Sequence, residues 1–148
     1  MKTGSKSVIV GGENWIHWLY GNFGREMDSN PEVCLWYAVG DMIQQSRGRW
    51  VIDQINNHIN GLHIDDKKMG SEAYSWRFYN DKVIIFQNWN LFAVCKTNIT
   101  SLLVLIDLQS KMIYDDCKPF DVKIKIFDFD YRNRPDIEEF DEKTGCRI

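Results

Sequence analysis

Hydrophobic positions along this chain fall into two periods, one helical and one extended. Near the start, Val8 to Val10 reads as a short strand, and the aromatic run ENWIHWLYGNFG behind it fits helix and strand equally. From Asn30 the spacing is helical. Asn30 can cap, Pro31 suits a first helical position, Glu32 complements the N-terminal dipole, and Val33, Trp36, Gly40 and Ile43 share one face. These features predict a helix from about Pro31 to Arg47. Gly48 permits a stop or a kink, after which Ile52, Ile55, Ile59 and Leu62 recur at intervals of three and four, with Gly61 as the exit. That predicts a second helix, or a continuation of the first.

From Ser71 the period becomes two. Tyr74, Trp76 and Phe78 alternate with Ser75, Arg77 and Tyr79, and beyond Asn80-Asp81 the run KVIIFQN resumes the pattern, which predicts a hairpin. Further extended runs are expected at Leu91 to Lys96, at Leu102 to Leu108, and at Lys111 to Tyr114 beyond a Gln109-Ser110 turn. A last one joins Val122, Ile124 and Ile126, alternating with Lys123 and Lys125. Connections this short favour antiparallel neighbours. The expected fold class is α+β, with two helices in the N-terminal half packed on a mostly antiparallel, meandering β-sheet.

Composition narrows the class. With 148 residues, 44% of them hydrophobic and 26% charged, the chain fits one globular domain, residues 1–148, ending in an acidic segment from about 128. Its longest apolar stretches, LLVLI among them, are far shorter than the roughly 20 residues of a membrane span. The opening MKTGSKSVIVGG lacks the apolar core of a secretory signal, so a cytoplasmic location is expected. Cys34, Cys95, Cys117 and Cys146 are irregularly spaced and read as thiols, and the glycosylation pattern Asn98-Ile99-Thr100 as coincidence.

Catalytic and cofactor signatures do not emerge. VIVGGEN runs a strand into glycines without completing a phosphate-binding loop. His58 and His63 lie five apart across Gly61, off the spacing that puts two metal ligands on one helix face. Asp128, Asp130 and Glu139 match three positions of a calcium loop, but Arg132 and Asn133 occupy places that need an oxygen ligand and a glycine. No metal, no cofactor and no enzymatic activity are expected. A hydrolase assembled from distant carboxylates or Cys34 is the alternative of that class.

Recognition remains. From Met1 to Tyr114 the 11 acidic and 11 basic residues cancel, so the net charge of -3 belongs entirely to residues 115–148. Asp128, Asp130, Asp136, Glu138, Glu139, Asp141 and Glu142 face only Arg132 and Arg134, a formal charge of -5 within fifteen residues. Such a field attracts a basic protein, and Tyr131 and Phe140 are placed to supply apolar anchors among the carboxylates. A second reading is a single-stranded nucleic-acid binder that uses Trp76, Tyr79, Trp89 and Lys96 on the predicted sheet. A pI of about 5.6 opposes it.

The string YSWRFYNDKVIIFQNWNLF, from Tyr74 to Phe92, resembles the hairpin stretch of immunity proteins from bacterial contact-dependent growth inhibition systems. The resemblance implies a small cytoplasmic α+β protein that binds a toxin domain delivered by a neighbouring cell, often a nuclease, and blocks it by occlusion. A nuclease presents Lys and Arg to phosphates, and an acidic surface can cover the same groove. The resemblance transfers no numbered contact, so the expected partner-binding residues are the acidic and aromatic positions of the terminal segment.

Overall fold

The computed structural model describes residues 5–11, 31–44, 46–62, 70–88, 90–118 and 120–128. In chain order they form β1 (Ser5–Gly11), α1 (Pro31–Met42), a 3-10 turn (Ser46–Gly48), α2 (Arg49–Ile59), β2 (Tyr74–Tyr79), β3 (Lys82–Gln87), β4 (Asn90–Asn98), α3 (Ile99–Tyr114) and β5 (Asp121–Phe127). The five strands make one antiparallel sheet in the order β1-β5-β4-β3-β2. The class is α+β, with three α-helices among the described residues rather than the two expected.

The third helix is a correction. Leu102 to Leu108 and Lys111 to Tyr114, expected as strands around a turn at Gln109-Ser110, are continuous helix. Asn98 starts it, its side-chain oxygen accepting the Ser101 N–H at 2.8 Å, which satisfies a donor that the first helical turn leaves open. Leu102, Leu105, Ile106, Leu108, Gln109 and Met112 are all buried, so apolar residues encircle much of the helix and no polar stripe marks its period. A buried helix and a buried strand look alike in such a run.

Helix α1 is shorter than expected, ending at Met42 and not at Arg47. Ser46, Arg47 and Gly48 adopt φ of 51°, 56° and 80°, a left-handed turn that separates α1 from α2. Gly61 does close α2, with φ of 71°, while its N–H and that of Leu62 bond to the His58 and Asn57 carbonyls.

The register sorts the side chains. Trp76 lies opposite Ile85 and Ile85 opposite Cys95, and all three join the core under the helices with Val33, Trp36, Val39, Leu102, Leu105 and Ile124. Ile84 and Phe86, one position out of phase, form a small separate cluster with Tyr79 on the other face. Helix α2 lies against β2: Trp50 meets Trp76 with ring centroids 5.1 Å apart, and His58 stacks on Phe78 at 5.4 Å while its Nε2 bonds to the Asn80 carbonyl at 2.7 Å.

The sheet has two parts. β2, β3 and β4 form a meander, β1 and β5 pair along their full length, and only Lys96 and Thr97 of β4 meet β5, opposite Phe127 and Ile126. Past that point side chains replace the ladder. The Thr97 hydroxyl donates to the Lys125 carbonyl at 2.7 Å, and the Lys125 N–H donates to the Ser101 hydroxyl at 2.9 Å. Ser101→Ala strips the partner from a backbone N–H at this joint and is expected to cost about 1–3 kcal/mol in urea unfolding. Fast amide exchange at Lys125 should accompany it.

Candidate functional site

Of the nine residues expected to bind a partner, Asp128 is described, and it is exposed directly beyond the end of β5. Asp130, Tyr131, Asp136, Glu138, Glu139, Phe140, Asp141 and Glu142 lie outside the described residues, as does Trp89.

The aromatic surface of the nucleic-acid reading changes on inspection of the sheet. Trp76 is 0% exposed, and its indole N–H donates to Gln54 Oε1 at 2.8 Å, so it belongs to the core and cannot stack a base. The face away from the helices instead gathers Lys82, Lys96 and Lys125 around Phe127, with Lys123 further back along β5 on the same side. The Lys82 and Lys125 ammonium groups lie 4.7 and 5.6 Å from the Phe127 ring centroid. Lys82 also bonds to Asp81 at 2.6 Å, and that hydrogen bond holds the Asp81 carboxyl below its usual range.

A recess lies where two helices end side by side. Gln109 of α3 donates through Nε2 to the Trp36 carbonyl of α1 at 2.8 Å, and the Tyr114 hydroxyl at the end of α3 donates to the carbonyl of Ile43, the residue after α1, at 2.7 Å. These two bonds tie the C-terminal half of α3 to that of α1. Between their ends opens a cavity of about 420 Å³, lined by Trp36, Tyr37, Asp41, Tyr74, Gln109 and Tyr114 among others. Gln109 is wholly buried, and its Oε1 accepts no hydrogen bond. Its amide orientation is fixed by the Trp36 carbonyl, which needs a donor. Gly40 makes room for it, since a Cβ there would lie 3.4 Å from Oε1.

Asp41 receives the Ser71 hydroxyl on Oδ2. Burial, followed by the neighbouring Cys34, Asp41 and Tyr37, pushes the Tyr74 phenol far above its usual range, so it stays protonated and able to donate. Burial also raises the Cys95 thiol well above the ordinary range. Both groups hold their protons to higher pH in the folded chain than in the unfolded one. The stability they confer is therefore complete below the ordinary thiol pKa and drains away as pH rises. Thermal unfolding midpoints should fall between about pH 9 and pH 11. Tyr74→Phe with Cys95→Ala should flatten that decline.

Cys34 and Cys95 are buried, and Cys117 is exposed. Among the described residues no three His, Cys, Asp or Glu side chains come together to hold a metal, and no helix is long and apolar enough to cross a membrane. No family model, curated protein or solved structure matches the chain. Sequence reasoning missed the recess because its parts, Asp41 and Gln109, stand far apart in two helices whose packing against one another no local pattern encodes.

Proposed function

We propose that this chain is an immunity protein, a cytoplasmic inhibitor that binds a basic toxin domain, such as a nuclease, and covers its substrate groove. The observation that carries the reading is the acidic segment: seven carboxylates against two arginines from Asp128 to Glu142, entered from a strand end where Asp128 is exposed. The hairpin resemblance from Tyr74 to Phe92 supports it. Carboxylates steer the encounter with a cationic groove, and Tyr131 and Phe140 supply the apolar contacts that hold the complex once formed.

The direct test is growth of cells expressing the C-terminal domain of the reading frame immediately upstream, with and without this chain, followed by co-purification. Toxicity relieved by this protein, with a stable complex, supports the reading. Toxicity that persists in its presence removes it.

The lysine cluster around Phe127 favours a second reading, a single-stranded nucleic-acid binder that lays phosphates along Lys82, Lys96, Lys123 and Lys125 and stacks a base on Phe127. It requires oligonucleotide affinity that falls steeply with salt and is lost on Phe127→Ala. Failure to bind any oligonucleotide at low salt disposes of it.

A further inference from the structure

The side of the sheet away from the helices is unevenly closed. One row of paired residues crosses all five strands there: Arg77, Ile84, Lys96, Phe127 and Ser5, running from β2 to β1. Although the helices pack on the opposite face, Ile84 is 1% exposed, and Phe86 and Arg77 are each 8% exposed. Ile9, on the same side of β1, is 62% exposed. The closure therefore lies over β2 and β3 and stops short of β1. Neighbours on the sheet supply part of it, since the Arg77 guanidinium lies 5.9 Å from the Phe86 ring centroid and Tyr79 packs against Ile84 and Phe86. They do not bury Arg77 itself, an arginine on the last strand of the sheet, where such a side chain is normally open to water.

Whatever closes this face has to bring negative charge and apolar surface together. The row sets Ile84 between two cations, Arg77 and Lys96, and covering cations with apolar groups alone costs far more than covering them with carboxylates. The chain carries such a segment at this very place. β5 ends at Phe127, in the same row and beside Lys96, and Asp128 follows it, exposed. At about 5 Å per strand, Ile84 lies roughly 10 Å from that exit and Arg77 roughly 15 Å. The twenty residues after Asp128 have ample length for either, and they hold six carboxylates up to Glu142, interspersed with Phe129, Tyr131 and Phe140. The stretch 12–30 is aromatic too, but it leaves β1 at Gly11, opposite Asp121 at the far end of β5, has to return to Pro31 on the helix side, and carries only Glu13, Glu26 and Asp28 against Arg25.

We propose that this face is the dock for the chain's own acidic C-terminal segment, which folds back across β4, β3 and β2, sets carboxylates against Arg77, Lys82 and Lys96, and lays its aromatic rings over Ile84 and Phe86. The consequence is competition. A basic partner gains the carboxylates only by drawing them away from the chain's own cations, so the free protein presents less negative charge than its sequence carries. Lys123 and Ile9, toward the open side, stay outside the dock. The inference rests on the register and burial of the sheet and not on the toxin reading. Its test uses the chain without any partner, so its failure leaves that reading untouched.

Carbodiimide cross-linking of the full chain, read by mass spectrometry, joins carboxylates to lysines that are in direct ion-pair contact. Lys82 and Lys96 are expected to link to Asp136, Glu138, Glu139, Asp141 or Glu142, with a yield several-fold lower at about 1 M salt, where the screening length is roughly 3 Å. In a mixture of isotope-labelled and unlabelled chains the links should stay within one label. Links of these lysines to Glu13, Glu26, Asp28, Asp65 or Asp66 in place of the segment overturn the proposal. So do links that join the two labels, which assign the dock to a second copy, and so does the lack of any link beyond that of Lys82 to its neighbour Asp81. A second readout is the broadening of isoleucine methyl NMR signals by a soluble gadolinium chelate. Ile84 should stay sharp in the unaltered chain while Ile9 broadens, and Phe129→Ser, Tyr131→Ser and Phe140→Ser together should broaden Ile84 as well. Ile84 equally protected in that variant overturns the proposal. The cross-links on the unaltered chain decide the matter even if the triple variant fails to fold.

Discussion

Trp76→Ala is expected to lower the unfolding free energy by about 3–5 kcal/mol, enough to leave much of a marginally stable domain unfolded. The indole is 0% exposed, packs on Trp50, and lies opposite Ile85 in the middle of the core. Its removal opens a large cavity and takes the N–H from Gln54 Oε1. Trp76→Phe keeps a ring in place and isolates the hydrogen bond, at about 1–3 kcal/mol. Urea unfolding of the two variants measures both. A loss under 1 kcal/mol for the alanine variant would mean that β2 is not seated under α2 as described.

The second large effect concerns the partner. Neutralising Asp136, Glu138, Glu139, Asp141 and Glu142 to Asn or Gln is expected to slow association with the toxin domain by about one to three decades at low salt. It should also flatten the dependence of the on-rate on ionic strength, because screening acts only on charges that remain. Dissociation should change less, being governed by buried contacts. Stopped-flow measurements at two salt concentrations decide it. An on-rate unchanged at low salt places the contact surface elsewhere, and the lysine face around Phe127 then becomes the next object of study.

Much of the architecture was legible where sequence marks boundaries chemically. Pro31 and Glu32 open α1, Gly61 closes α2, and the alternation from Tyr74 to Tyr79 and from Val122 to Ile126 marks the strands β2 and β5. The α+β class followed from these. Helix α3 escaped because Leu102 to Ile106 is apolar on every side, so periodicity could not distinguish it from a strand. The signal that could have revealed it was Asn98, read as part of a glycosylation pattern when its cap bond to Ser101 begins a helix. The early end of α1 was hidden because Ser46 and Arg47, neither of them glycine, take positive φ. The recess was invisible for a different reason. A glutamine facing a main-chain carbonyl of another helix leaves no trace in spacing, and an orphaned acceptor is a property of packing alone.

The long-range pairing of β1 carries a consequence for how the protein comes into being. Among the described residues Val8 and Val10 pair with β5, where they lie opposite Ile124 and Val122. Of the described strands β1 is the first to be synthesised and its partner β5 the last, so this pairing waits until nearly the whole described chain has been made. The meander and α3 can assemble from sequence neighbours in the meantime, whereas the β1–β5 ladder closes across more than a hundred residues.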